Sequence, residues 1–276
     1  MSDEAFDAIC SFVESDLGFA TSHYNDSYLD RRISSRIRRT NSEGYEAYAD
    51  LLRSDPDEQT ALLDSFSINV TGFFRNPDVW DGVRSVLRSL SASNETVHVW
   101  SAACADGREA YSLAMLARDD PEIDESSVYV LGTDISDPAL ETARQGVYRR
   151  TRTTDIDDQL SYLETYEDYV ECEDDCVRIR PTLSETVRFE RHDLINDEPK
   201  SGFDLVICRN LFIYIDPAYK ESMLETIARS LRPGGYLVIG KAETIPPSLK
   251  ATFTIHDGRL RIYRVDSTDG SAPSNG

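Results

Sequence analysis

The sequence predicts an α/β protein in which a small helical domain precedes a doubly wound sheet, and three observations carry that prediction. An apolar strand from Val97 to Trp100 runs into a loop of small residues around Gly107, after which Ala110, Leu113, Ala114 and Ala117 recur at helical spacing. A second strand, Val128 to Asp134, ends in a carboxylate 27 positions after Gly107. Later, Phe203 to Cys208 reads as a strand, and Leu231-Arg-Pro-Gly-Gly235 makes a tight turn into another from Tyr236 to Gly240. Strand, small-residue turn and helix form the first half of a βαβ unit, and such open sheets bind ligands beyond the carboxyl ends of their strands. The loop lacks G-x-G-x-x-G, which disfavours a dinucleotide site.

Residues 1–68 show helical periodicity and no strand pattern. Helices are expected at Glu4 to Ser15, Tyr24 to Arg39, Ser42 to Arg53 and Asp57 to Ser67, with Ser42 and Asp57 as starts and Pro56 between the last two. In the second helix Leu29, Ile33 and Ile37 share one face, which should be buried. Arg32, Arg36 and Arg39 share another and are flanked by Arg31 and Arg38, so five arginines against Asp30 give about +4 in a chain of net charge -21. This face is either simply solvated or a docking surface for an acidic partner.

Residues 69–79 form the link, where polar Asn69, Thr71 and Arg75 are interspersed with Phe73 and Phe74. The aromatic pair is either a hydrophobic clasp or part of a lid. Asp78 to Leu90 follows as a helix that leads from the link into a second domain spanning 80–266. Asp134 is placed either to accept two hydrogen bonds from a ribose diol or to cap the helix that begins at Ser136 or Asp137, with Pro138 in its first turn. An insertion at about 162–190 holds Val177 to Arg180 and Val187 to Glu190, read as a hairpin, behind the acidic loop Glu171 to Cys176. The tail, 267–276, is rich in Ser, Gly and Asp and reads as disordered.

Charge and composition exclude several classes. A net charge of -21 argues against nucleic-acid binding, which depends on clustered cations. Arginine supplies 25 of the 29 basic residues, and with so many acids this suggests a halophilic host with a salt-rich cytoplasm. No apolar run approaches the roughly 20 residues of a membrane span, and no signal pattern opens the chain, so a cytoplasmic protein without membrane insertion is expected. Cys10, Cys104, Cys172, Cys176 and Cys208 are an odd number in unrelated contexts, as reduced thiols are. Cys172 and Cys176 lack the second pair or histidine that would complete a zinc site, so no metal is expected.

The chain resembles the chemotaxis receptor methyltransferases, the CheR-type protein-glutamate O-methyltransferases. The likeness runs over roughly residues 5–265. It rests on the arginine-rich second helix, N-V-T-G-F-F-R, W-S-A-A-C-A-D-G-R-E-A-Y-S, G-T-D-I-S, C-R-N-L-F-I-Y and L-R-P-G-G-Y-L-V-I-G, in the family's order. The resemblance implies a helical N-terminal domain and an S-adenosylmethionine-dependent methyltransferase sheet with a small antiparallel β insertion. It implies methyl transfer from S-adenosylmethionine to glutamates on the cytoplasmic methylation helices of chemoreceptors, giving methyl esters and S-adenosylhomocysteine for chemotactic adaptation. A monomer is expected. The family's cofactor contacts would fall on Asn69, Thr71, Arg75, Glu109, Asp134, Asp193, Leu194, Arg209 and Asn210, and Tyr214 matches an active-site tyrosine. Receptor docking would fall to Arg31, Arg32, Arg36, Arg38 and Arg39.

Some positions depart from the family pattern. Arg108 stands where a second acid is usual, Asp193 where asparagine is, and Lys241-Ala-Glu243 replaces His-Ser-Glu. The acidic loop Glu171 to Cys176 speaks against tethering of a receptor tail peptide by the insertion, as occurs in some relatives.

A carboxylate is already nucleophilic at neutral pH, so no general base is needed and catalysis should rest on positioning and exclusion of water. No triad is visible, since His23, His98, His192 and His256 are scattered. Arg75 or Tyr214 is expected to orient the substrate carboxylate. Methylation of an amide or base is disfavoured because Arg209-Asn210-Leu211-Phe212 stands in place of an Asn-Pro-Pro-Tyr loop. A cofactor-binding partner without activity is the other alternative.

Overall fold

A computed structural model describes residues 2–66, 71–151 and 154–265, and among these the chain forms two compact units. The expectations for Asn69 and for the tail 267–276 lie outside the described residues.

The first unit comprises residues up to 68 together with 211–220. It is built from α1 (Ser2–Ser15), α2 (Asp26–Thr40), α3 (Tyr45–Ser54) and α4 (Pro56–Phe66). Ile9 and Val13 of α1, Leu29 and Ile33 of α2, Leu52 of α3 and Leu62 and Phe66 of α4 close its core, with Ile37 packed at its margin. Asn25 caps α2 by accepting from the Tyr28 amide at 2.9 Å. Two helix starts differ from expectation. Ser42 serves the end of α2 instead, its amide reaching the Ile37 carbonyl at 3.1 Å behind a left-handed Asn41, so α3 waits until Tyr45. Asp55, not Asp57, caps α4, its Oδ1 accepting from the amides of Asp57 (2.9 Å) and Glu58 (3.2 Å).

The segment 211–220 folds against this core although it follows a strand of the other unit. Asn25 donates from its amide to the Tyr214 carbonyl at 3.0 Å and from Nδ2 to the Ile213 carbonyl at 3.1 Å.

In the second unit, the strands β1 (Val97–Ala102), β2 (Val128–Asp134), β6 (Val187–Arg191), β7 (Phe203–Cys208), β8 (Leu231–Ile239), β9 (Phe253–Asp257) and β10 (Ile262–Val265) form one sheet in the order β6-β2-β1-β7-β8-β10-β9. The first five run parallel, and β10 and β9 are antiparallel additions. The chain order reverses between β1 and β7, the topological switch point at which such sheets bind ligands. Residues on one face of the sheet, among them Val99, Val130, Leu205 and Val238, share a core with α5 (Pro77–Ser93) and α6 (Arg108–Asp119). The alternate residues Val206, Cys208, Leu237 and Ile239 are equally buried, as a sheet covered on both faces requires. α7 (Asp137–Gln145) follows β2, with Ser136 as its cap. α10 (Pro217–Ser230) makes the crossover from β7 to β8.

The inserted part is a three-stranded antiparallel sheet of β3 (Val147–Arg149), β4 (Val170–Cys172) and β5 (Cys176–Ile179), with α8 (Ile156–Leu160) between the first two strands. The expected hairpin of Val177–Arg180 with Val187–Glu190 does not form. Val187–Arg191 instead pairs in parallel with β2 as an edge of the main sheet, after the short α9 (Pro181–Ser184) has turned the chain away. Packing fixes this register: the Phe189 ring fills the space over Gly132, where an added Cβ would lie 2.7 Å from it. The small sheet also begins earlier than expected, at Val147.

Candidate active site

Beyond β1 the backbone takes a left-handed conformation at Ala103 (φ 57°), Ala105 (φ 50°) and Gly107 (φ 86°). Only glycine adopts it freely, so the two alanines carry strain of about 1–3 kcal/mol each, the kind that surrounding contacts must hold in place. Those contacts are present. The Gly107 amide donates to the Cys104 carbonyl at 3.1 Å, and the Tyr148 hydroxyl donates to the Asp106 carbonyl at 2.7 Å. Gly107 itself admits no side chain, since a Cβ would meet Ala143 at 2.7 Å.

Asp134 anchors this loop. Its Oδ2 accepts from the Ala105 amide at 2.8 Å and its Oδ1 from the Ser136 amide at 2.9 Å. Burial pushes its carboxyl above the ordinary value, and the amides of Ser136, Ala105 and Ile135 oppose that. Asp134 thus organises the turn before α7, whereas the cap of that helix is Ser136, not Asp134. A carboxylate has about four acceptor positions, so two amides leave room for a diol.

Glu109, in the first turn of α6, accepts from Ser101 Oγ at 2.9 Å and pairs with Arg209 at 3.5 Å. Burial raises its pKa against the pull of Arg209 and Ser101, and Arg75 is near enough to act on it as well. The Arg209 side chain is only 2% exposed. Its Nη2 donates to the Arg75 carbonyl at 2.9 Å and to Asn76 Oδ1 at 2.8 Å, while its Nε is buried without a partner. Arg209 thus ties the segment carrying Arg75 to Glu109.

Asn210 is left-handed (φ 62°), and its amide donates to Glu243 Oε2 at 3.1 Å. The same oxygen accepts from the Gly240 amide at 2.5 Å, so Glu243, 2% exposed, bridges the ends of β7 and β8. Asp193 shapes its own turn, accepting from the amides of Ile195 (2.8 Å) and Asn196 (3.2 Å), and the adjoining Leu194 is buried. Thr71 is half-buried at the start of the described linker. Arg108 forms a two-pronged pair with Asp106 (2.8 Å from Nη2), which answers its unusual charge within the loop. Glu243, Ser101, Ser112 and Gln159 are not among the site residues expected from the sequence, where of the four only Glu243 carries a signal, as part of Lys241-Ala-Glu243.

Tyr214 belongs to the helical unit, its ring 4.9 Å from that of Tyr28. Among the arginines of α2, Arg31, Arg38 and Arg39 are exposed. Arg32 lies over the Tyr28 ring at 5.1 Å. Arg36 corrects the expected open face. It grips Glu58 with Nε (2.9 Å) and Nη2 (2.5 Å), Tyr48 donates to the same carboxylate at 2.6 Å, and Glu58 is 5% exposed. Such a buried pair is internal structure, because removing one partner strands the other's charge.

Near the tip of the small sheet Glu173, Asp175 and Cys176 lie close together, with Arg178 at 3.7 Å from Glu173 and Arg149 at 3.5 Å from Asp175.

Residues 4–67 match the family described as CheR methyltransferase, all-alpha domain, and residues 69–262 match CheR methyltransferase, SAM binding domain. The chain is similar to a chemotaxis protein methyltransferase of Listeria monocytogenes, 36% identical over 84% of this chain and 87% of that protein. One from Listeria innocua is 34% identical over the same shares. Chemotaxis protein methyltransferase 1 of Vibrio cholerae is 27% identical over 89% of this chain and 90% of its own.

Proposed function

Because the chain belongs to the CheR methyltransferase family, we propose that it transfers methyl from S-adenosylmethionine to glutamate side chains of chemoreceptors, giving methyl esters and S-adenosylhomocysteine for chemotactic adaptation. What carries the reading is that both family domains match in order, end to end, with the Asp134–Ala105 anchor at the tip of β2.

When bound, S-adenosylmethionine supplies a methyl group activated by its sulfonium. The residues fit such a molecule: a fixed carboxylate at Asp134 for the ribose diol, buried Leu194 as an apolar wall, and Glu109 as an acid for the ammonium end. Thr71, Arg75, Asp193, Arg209, Asn210 and, beyond the described residues, Asn69 complete the proposed cofactor contacts. Arg209 also holds Arg75 in place through the latter's carbonyl.

Arg75 and Tyr214 remain the proposed catalytic residues, each orienting rather than deprotonating. The substrate carboxylate is ionised at neutral pH and needs alignment with the methyl group, not a base. A clamp that held the carboxylate too tightly would stabilise the ground state and slow transfer.

Docking of the acidic cytoplasmic methylation helices is assigned to Arg31, Arg38 and Arg39, with Arg32 beside them. Arg36, with its guanidinium engaged by Glu58, is not assigned that role. Among the described residues no helix is long and apolar enough to cross a membrane, and a cytoplasmic monomer acting without nucleic acid is the proposed working form.

The test is to incubate the protein with receptor-bearing membranes and methyl-labelled cofactor. Alkali-labile methyl groups on receptor glutamates, located by mass spectrometry, are expected; their absence, with cofactor bound, would leave only a binding protein.

A further inference from the structure

Arg75 sits between two non-glycine residues held left-handed, Phe74 (φ 44°) and Asn76 (φ 62°). A backbone of that shape persists only where its surroundings over-determine it. Part of the restraint comes from the main sheet and its helices. Arg209 and the Trp80 indole both donate to the Arg75 carbonyl, at 2.9 and 3.1 Å, and the Phe74 amide donates to Ser112 Oγ at 3.0 Å.

The rest comes from the inserted segment. Gln159, in α8, accepts the Phe73 amide with Oε1 at 2.9 Å, across 86 residues of sequence. It lies so close that a Cβ on Gly72 would fall 2.8 Å from Oε1. Just past α8, the Tyr162 ring stacks on Phe74 with centroids 4.6 Å apart and planes at 24°. Its hydroxyl donates to Asp81 of α5 at 2.9 Å, and Arg84 covers the ring at 5.9 Å, so Tyr162 is itself held. Phe73 and Phe74 are 1% and 2% exposed, so without Gln159 the Phe73 amide would be buried with its bond unmade.

We propose that Gln159 and Tyr162 are positioning residues for Arg75, so that the inserted segment helps to set the cofactor site as well as carrying the small sheet. The proposal rests on the reading of Arg75 given above. Neither residue touches the reacting atoms; both act through the backbone that presents the guanidinium. Simple glue and positioning differ in one respect: glue contributes equally whatever side chain stands at 75, whereas positioning matters only while the arginine is there.

A double-mutant cycle separates them, with S-adenosylhomocysteine as the probe in calorimetry and amide exchange as the structural readout. Gln159→Leu should weaken binding at least about fivefold, the lower end of the cost of stranding a buried amide, and speed exchange at Phe73 and Phe74. Gln159→Glu, which keeps an acceptor oxygen, should restore both. In an Arg75→Ala background Gln159→Leu should weaken binding no further, although it lowers the melting temperature as before. An equal loss in both backgrounds overturns the positioning role. Wild-type affinity and turnover for Arg75→Ala alone would instead overturn the reading of Arg75. Should Gln159→Leu fail to fold, Tyr162→Leu carries the same cycle with the same expected and contrary outcomes.

Discussion

Arg209 donates to the main-chain carbonyl of Arg75 at 2.9 Å, so one arginine at the end of a central strand fixes where the other begins. The same guanidinium neutralises Glu109, and it is nearly inaccessible. Arg209→Met should therefore destabilise the protein by about 3–5 kcal/mol, the cost of leaving a buried charge unpaired. Denaturant unfolding measures this; a loss under 1 kcal/mol would show that Glu109 is satisfied without it.

Asp134→Asn keeps the shape of the anchor but removes its charge. S-adenosylhomocysteine affinity should fall by about 1.5–3 kcal/mol, as for a charge-assisted hydrogen bond to a ligand. Unchanged calorimetric affinity would leave Asp134 as the fastening of the Ala105 loop alone.

The arginines of α2 should divide sharply. Arg36→Ala strands Glu58 and should cost about 3–5 kcal/mol in stability. Replacing Arg31, Arg38 and Arg39 together by alanine should leave the melting curve nearly unaltered, since exposed charges contribute roughly 0–1 kcal/mol each. That triple variant should bind cofactor normally yet methylate receptor poorly. Normal receptor methylation would remove docking from this face.

Acid should loosen the helical unit through Glu58. Burial alone would raise its carboxyl, but the bonds from Arg36 and Tyr48 and the charge of Arg36 outweigh burial and hold it below the ordinary value of 4.5. A depressed folded-state pKa gives stability that is complete above the unfolded value and disappears as pH falls through the folded one. Melting temperatures measured downward from pH 6 should thus fall below about pH 4.5. Glu58→Gln should be less stable at neutral pH and lack Glu58's share of that slope; an unchanged slope would assign the acid sensitivity to other carboxylates.

Tyr214→Phe keeps the ring against Tyr28 and removes only the hydroxyl. Turnover should fall while the melting temperature and cofactor affinity hold, a pattern expected of an orienting group. Wild-type turnover would make the ring purely a packing element.

Where burial repeats along the chain, the sequence was legible to the residue. Val128–Asp134 and Phe203–Cys208 are strands with the bounds read from their apolar runs, and of the two candidates Ser136 and Asp137 it is Ser136 that caps α7. Legibility ended where a partner lies far along the chain. A helical wheel sets Arg36 among other arginines but cannot show Glu58, 22 residues on. Val187–Arg191 carries a strand pattern that fits a hairpin or an edge equally well, and its place beside β2 comes with distant contacts such as Phe189 against Gly132 and Tyr111. In the candidate site Asp134 could be named from its place at the tip of a strand and Glu109 from the family resemblance, whereas the Gln159 contact to Phe73 left no trace in composition or periodicity.

The ten residues 211–220 belong with the helices although the chain reaches them from the middle of the sheet. A protease cut or gene truncation at residue 68 would therefore not yield two self-sufficient halves. The shorter product would lack the peptide that Asn25 holds by its amide and side chain. The longer would carry Tyr214 without the helical core and the Tyr28 ring it packs against. Recombination between relatives would meet the same obstacle: exchanging only the N-terminal stretch mismatches this returning peptide, so a workable chimera must inherit both pieces from one parent.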